Sequence, residues 1–273
     1  MSELPPKSDS PSSVISAKQR SRQLARRYGL HTLIEEESPE SSFSQRAFAR
    51  ARMEQARCQK NLEQILALAE QLCGDEAGSN IDPDWFSAYL DLAKHSQNSA
   101  MQKLWAQILA MEIVTPGHFS IRALKTLTQM TQREAQWFQR AVLIASQIGS
   151  DHCHRLLVGI HRPSSKLGLS RAKIKRLSLG RYRLSYNHIM QLSELGLLYD
   201  RELESSFAAE LDLNFKLGGR HWMLRPRYRH CKLLYYRMTP IGDELAKLIE
   251  GTSIIRYQED LEELLQEFFE IQH

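Results

Sequence analysis

Residues 207–224, FAAELDLNFKLGGRHWML, decide the fold class that this sequence predicts. Apolar residues occupy every second position from Phe207 up to the glycines, and this alternation is typical of a half-buried strand. Gly218-Gly219 is a suitable two-residue hairpin turn, and the alternation resumes on the return at Trp222. The stretch therefore predicts a β-hairpin.

The elements on both sides of this hairpin extend the prediction to a domain. A helix is expected over residues 186–195, ended by Gly196. A strand is expected over 231–238, and a helix capped by Thr239 follows it. The order helix, strand, hairpin, strand, helix is that of a winged-helix-like α+β domain, which we assign to residues 151–251. A final acidic, amphipathic helix is expected at 252–273, with its periodicity clearest over 254–271.

The residues before position 150 predict helices. Asp82 can cap a helix that begins at Pro83, and Thr131 and Glu134 form a T-x-x-E capping box. Short helices with short connections must be neighbours in a bundle, and we place this bundle at residues 41–150. Residues 1–40 are rich in Ser, Pro and charge and predict a disordered, partly basic tail. The predicted fold class is therefore mainly α with a smaller α+β part.

Composition excludes several classes of protein. The 273 residues are 42% hydrophobic, and no apolar run approaches the roughly 20 residues that a membrane span needs. The first residues show no secretory signal, so we expect a cytoplasmic protein. The four cysteines are expected to be reduced thiols. No nucleophile elbow or phosphate-binding loop is present, and we expect no enzyme activity and no cofactor.

Charge is strongly segregated in the second half. Residues 151–190 contain nine Lys or Arg against Asp151, and 216–237 contain seven against no acid; from 243 onward nine acids face two basic residues. Such a basic surface attracts phosphate, so the leading hypothesis is a non-enzymatic nucleic-acid-binding or regulatory protein, with DNA or RNA as partner. In this hypothesis the acidic last helix mediates self-association or autoinhibition. The residues predicted to contact phosphates are Arg171, Lys173, Lys175, Arg176, Arg181, Arg183, Arg225, Arg227 and Arg229.

Two alternatives stay open at this point. The acidic C-terminal helix could instead neutralise the basic surface, within the chain or across a dimer, in a protein–protein adaptor or homo-oligomer. A metal site built from His152, Cys153, His154 and His161 is the other alternative, although their spacing matches no standard zinc pattern.

Four motifs resemble a bacterial domain-of-unknown-function family of cytoplasmic proteins. They are D-x-D-W at 82–85, L-W-A-x-I-L-A-x-E-I at 104–113, P-G-x-F-S-x-R-x-L at 116–124 and E-A-x-x-F at 134–138. The pattern is also loosely similar to abortive-infection alpha proteins of phage defence. The resemblance implies a helical bundle and supplies no activity, cofactor or catalytic residue.

Overall fold

The chain forms two compact units, Met1–Glu63 and Gln64–His273. The predicted domain bounds stay a prediction. No helix of the described residues, whose ranges follow, is long and apolar enough to cross a bilayer.

The computed structural model describes residues 15–32, 34, 42–75, 77–164, 171–206, 212–228 and 230–272. Of the predicted disordered tail, residues 1–14, 33 and 35–40 lie outside these ranges.

The described part of the first unit consists of α1, Ala17–Arg27, and the beginning of α2, Phe43–Leu72. A capping box starts α1: the Ser16 hydroxyl accepts from the Gln19 N–H at 3.2 Å, and the Gln19 side chain accepts from the Ser16 N–H at 3.0 Å. Satisfying these otherwise unpaired N–H groups stabilises a helix start. The prediction of disorder is therefore wrong for residues 17–27, which form a helix that contains Lys18, Arg20, Arg22, Arg26 and Arg27.

Two helices of the second unit begin where their predicted capping residues lie. Asp82 accepts hydrogen bonds from the backbone N–H groups of Asp84 and Trp85, at 2.8 and 2.9 Å, with Pro83 at the first helical position. The Thr131–Glu134 capping box is also present. The described α-helices that lie wholly within the second unit are α3 Pro83–Ala93, α4 Ser99–Val114, α5 Ile121–Gln129, α6 Gln132–Ile144, α7 Tyr186–Glu194, α8 Pro240–Ala246 and α9 Ile255–Phe268.

The strands of the second unit form one antiparallel sheet, eight-stranded over the described residues. They are β1 Ser146–Ile148, β2 Asp151–Arg162, β3 Lys173–Arg176, β4 Leu203–Ser206, β5 Leu213–Leu217, β6 Arg220–Pro226, β7 Lys232–Arg237 and β8 Phe269–Gln272. Their order is β4-β7-β2-β1-β5-β6-β8, and β3 also pairs with β2. The long strand β2 therefore organises the sheet.

The predicted hairpin is confirmed, but the winged-helix prediction is wrong. β5 and β6 pair from Leu213↔Leu224 to Leu217↔Arg220, and both turn glycines have positive φ. Residues 207–211 of the predicted strand lie outside the described ranges. In a winged helix this hairpin would project as a wing; here β1 pairs with β5 and β8 pairs with β6, so the hairpin is interior to a large sheet.

The prediction of a helical bundle as the main architecture is also wrong. Helix α6 contacts α7 and β2, and α5 contacts α8. Helices α5 and α6 therefore pack with elements that follow residue 145, in one mixed α/β unit.

The acidic C-terminal helix is part of this unit's core. Tyr257 is fully buried, and its hydroxyl donates to the backbone oxygen of Leu157 in β2 at 3.3 Å. Leu261, Leu265 and Phe268 on the same face are at most 1% exposed. The helix ends at Phe268, earlier than predicted, and the next residues form β8. Burial of this face leaves the acidic face of α9 turned outward.

Candidate nucleic-acid interface

We use the term basic surface for the described residues among those predicted to contact phosphates. They are Arg171, Lys173, Lys175, Arg176, Arg181, Arg183, Arg225 and Arg227, all of them exposed. The ninth predicted residue, Arg229, lies outside the described ranges.

Glu267 of α9 joins two lysines of β3. Lys173 and Lys175 are two residues apart in the strand, so their side chains leave the same side of it. Both ammonium groups form ion pairs with the Glu267 carboxylate. Hydrogen bonds from the two lysines lower the pKa of Glu267, and the bond with Glu267 raises the pKa of Lys175.

The arginines after Lys175 have separate carboxylate partners. Arg176 forms a two-point contact with Glu202, with N–O distances of 2.8 and 3.0 Å. Arg181 lies 3.5 Å from Asp260 of α9. The same carboxylate accepts a hydrogen bond from the Tyr182 hydroxyl at 2.5 Å. Two turns of α9 therefore contribute acids to this part of the basic surface.

Residues 225–227 are placed by the end of β6. Arg225 forms a two-point contact with Asp212 at 2.7 and 2.8 Å, which lowers the pKa of Asp212. The Arg227 Nε donates to the backbone oxygen of Phe269 at 3.1 Å. Because Lys173 lies over the Phe268 ring, 5.9 Å from its centroid, the junction of α9 and β8 contacts both the β3 lysines and Arg227.

Three members of the basic surface have no carboxylate partner within the described residues: Arg171, Arg183 and Arg227. Arg183 also adopts a left-handed backbone conformation, with φ of 59°, directly after the short 3-10 helix Leu179–Tyr182. The basic surface is therefore only partly neutralised by its neighbours.

Sequence reasoning did not identify the individual ion partners Glu202, Asp212, Asp260 and Glu267. It did identify the acidic C-terminal segment as a possible source of neutralisation. Which carboxylates meet which cations depends on the packing of α9 against the sheet, because only residues on the outward face of the helix can reach β3.

The histidines and cysteine considered as metal ligands are spread along β2. The His154 Nδ1 lies 2.7 Å from a carboxylate oxygen of Asp243 in α8, whereas His161 is near the other end of the strand. Across the part of the chain that the structure describes, no three His, Cys, Asp or Glu residues form a group that could hold a metal ion.

Cys153 lies in a charged environment. Its Sγ accepts a hydrogen bond from the Arg237 guanidinium at 2.7 Å. The pKa of the Cys153 thiol is raised mainly by burial and secondly by the hydrogen bond with Asp151. Hydrogen bonds from the side chain and backbone of Cys153 lower the pKa of Asp151 to about 2, with further help from Arg155. The thiol is therefore kept protonated rather than activated as a nucleophile.

A cavity of about 430 Å³ lies between α4, α5, α6 and the end of α8, and its lining residues come from 104–139 and 245–250. Its lining is mostly apolar, with three glutamines and Glu250 as polar groups. None of the described residues that were predicted to bind nucleic acid or metal lines this cavity.

Comparison with known proteins places the chain in a family. No curated protein and no solved structure was found that matches it. A family model described as a protein of unknown function, DUF2806, matches residues 45–262, which is well over half of the chain. The match includes α3 to α8 and most of α9, and it confirms the prediction of a domain-of-unknown-function family. The chain is therefore a member of the DUF2806 family.

Proposed function

We propose that this protein is a non-enzymatic nucleic-acid-binding protein whose basic surface contacts the phosphate backbone of DNA or RNA. The observation that carries the proposal is the excess of cations. Five of the eight residues of the basic surface pair with four carboxylates, those of Glu202, Asp212, Asp260 and Glu267, and the other three have no carboxylate partner within the described residues. Two lysines share one of these carboxylates.

The existing ion pairs do not prevent phosphate binding. The side chains of Arg176, Arg181 and Arg225 are 50–56% exposed, and those of Lys173 and Lys175 are 45–48% exposed. An exposed ion pair contributes only about 0–1 kcal/mol. A phosphodiester backbone gains from the release of its condensed counterions, so it can compete with these carboxylates for the same cations.

The proposed contacts position the protein and read no sequence. Arginine suits two-point contacts with phosphate oxygens, and phosphate contacts carry no direct information about bases. We therefore expect similar affinities for duplexes of different sequence. Such a role is consistent with the bacterial cytoplasmic location predicted from the sequence, which stays part of this proposal.

The test uses fluorescence anisotropy of a labelled 20-base-pair duplex across a salt series. Replacing Arg171, Arg183 and Arg227 together by glutamine removes the cations that have no carboxylate partner in the described residues. The slope of log affinity against log salt should become shallower by about 2.7, since each lost phosphate contact on B-DNA changes it by about 0.9.

A matched control removes three exposed cations from another surface of the second unit. The control replacements are Arg122→Gln, Lys125→Gln and Arg133→Gln. This variant should keep the wild-type slope to within about 1, which is one contact. An unchanged slope in the Arg171, Arg183 and Arg227 variant would remove the basic surface from the proposal.

A protein–protein adaptor or homo-oligomer is the second candidate. Pairing of Glu267 and Asp260 with the basic surface favours it, because part of that surface is already neutralised within the chain. Since the apolar face of α9 is buried, self-association would use other surfaces. Light scattering that finds a concentration-dependent oligomer, together with no duplex binding at low salt, would favour this candidate. A link to phage defence stays a prediction from the sequence resemblance.

A further inference from the structure

The helical residues of the first unit carry an excess of positive charge that the basic surface does not include. Helix α1 contains five basic residues and no acid. Residues 43–63 of α2 contain five more, against Glu54 and Glu63. Of these acids, Glu54 pairs with Arg50 at 3.3 Å, and Glu63 accepts a hydrogen bond from Gln59 at 2.8 Å.

The cations near the start of α1 are exposed to solvent. Lys18, Arg20 and Arg22 are exposed, and within the described residues none of them has a carboxylate partner. The Arg20 guanidinium donates a hydrogen bond to the neutral side chain of Gln23 at 3.3 Å. Binding an anion at these residues therefore breaks no ion pair of the described structure.

Aromatic side chains are exposed in the same unit. The rings of Phe43 and Phe48 at the start of α2 are 78% and 69% exposed. Tyr28, which follows α1, is 37% exposed and lies 4.7 Å below the guanidinium of Arg57. The guanidinium of Arg46 lies 5.9 Å from the centre of the Phe43 ring. Exposed rings and exposed cations within one unit are the combination that binds single strands, in which cations follow the backbone and rings stack on bases.

From these observations we infer that α1 and the start of α2 form a second nucleic-acid contact, which prefers single strands. The inference rests on the proposed nucleic-acid binding, but it uses residues outside the basic surface. Two properties favour a nucleic acid over a lipid surface. Four of the five cations of α1 are arginines, which suit two-point phosphate contacts. The helix has one large apolar residue, Leu24, whereas a helix that lies in a membrane interface needs an apolar face.

The exposed rings explain the expected preference for single strands. In a duplex the bases are stacked on each other and their faces are not accessible. In a single strand each base can stack on an exposed ring, and this stacking tolerates any base sequence. Phosphate contacts alone would give no such preference.

The test measures binding of a fluorescent 20-nucleotide thymidine oligomer to the full chain by anisotropy. Replacing Lys18, Arg20 and Arg22 with glutamine, which is a good helix former, should weaken binding at least about tenfold and reduce the salt slope by about 2, given about 0.7 per phosphate on single strands. The Phe43→Ala and Phe48→Ala double variant should lose at least about fivefold for the oligomer and less than about twofold for a duplex.

Three outcomes separate this inference from the proposed function. If the α1 variant binds the oligomer like the wild type while the Arg171, Arg183 and Arg227 variant is impaired, the inference is wrong and the proposed function stands. If the wild type binds neither oligomer nor duplex, both are wrong. If the oligomer binds weakly but vesicles of phosphatidylcholine and phosphatidylserine bind tightly through α1, the ligand is a membrane and the inference is overturned.

Discussion

Replacing Glu267 with glutamine should strengthen nucleic-acid binding and weaken the fold by comparable amounts. The carboxylate holds Lys173 and Lys175 in two exposed ion pairs, and each such pair is worth about 0.2–1 kcal/mol. In the wild type both pairs must open when the lysines contact phosphates, whereas in the variant this cost is absent. The two pairs together give about 0.4–2 kcal/mol, so the Kd for duplex DNA should fall by about 2- to 30-fold.

The matched control is Glu259→Gln, which removes the same charge from an exposed position of α9 that has no cation partner in the described residues. Anisotropy titrations at one salt concentration compare the Kd values, and urea unfolding compares the stabilities. Glu267→Gln should lose about 0.4–2 kcal/mol of unfolding free energy, and the control should lose less. Equal Kd values for the two variants would show that the ion pairs of Glu267 do not oppose binding, since the loss of one negative charge from α9 would then account for the whole effect.

Three further predictions concern the fold and the thiol. Leu261→Ala should lower the unfolding free energy by about 2–5 kcal/mol in urea melts, because α9 belongs to the core. The control Ile255→Ala, at a 71% exposed position of the same helix, should change the unfolding free energy by less than about 0.5 kcal/mol. Equal effects of the two variants would contradict the burial of Leu261. Gly218→Ala should lower the melting temperature, because φ is +52° there and an added Cβ would lie 2.4 Å from a side-chain atom; an unchanged melting temperature would rule this out. Asp151→Asn should speed thiol alkylation of Cys153 at pH 8, because the carboxylate helps to raise the pKa of that thiol; an unchanged rate, followed by mass spectrometry of the labelled peptide, would contradict this.

The depressed pKa of Asp151 also sets a pH window for stability. The group has a pKa of about 2 in the folded chain, against about 4 for an unperturbed aspartate. Its contribution is therefore complete above about pH 4 and is lost as the pH falls toward about 2. Urea melts should show a shallower loss of stability over this window in Asp151→Asn than in the wild type; identical pH profiles would count against the assignment.

Local signals in the sequence predicted two helix starts and the hairpin turn. The cap at Asp82, the capping box at Thr131 and the turn at Gly218-Gly219 act through neighbouring backbone groups, so their residues alone determine them. The structure contains each of these features.

The sheet could not be predicted in the same way, because its pairings join distant segments. Residues 155–160 of β2 are buried without interruption, so the strand shows no alternation; continuous burial is expected where elements cover both faces of a strand. The pairing of Ser146 with Leu217 joins residues far apart in sequence. Element order alone therefore suggested a wing where the chain forms an interior hairpin.

The Lys and Arg residues of the candidate site could be predicted from the sequence, but their carboxylate partners could not. The density of Lys and Arg over 171–183 is visible in the sequence. That Glu267 meets two lysines, while Arg171 and Arg183 meet no carboxylate in the described residues, depends on how α9 lies against β3. Charge density therefore identified a surface, and the fold determined which of its cations are already paired.

The affinity of the wild-type chain for a labelled duplex, measured over a series of salt concentrations, decides whether the basic surface binds nucleic acid. Binding through the basic surface predicts a straight line of log affinity against log salt with a slope of about −3 or steeper, at about 0.9 for each phosphate contact. The absence of binding at low salt, or an affinity that does not change with salt, would contradict the claim.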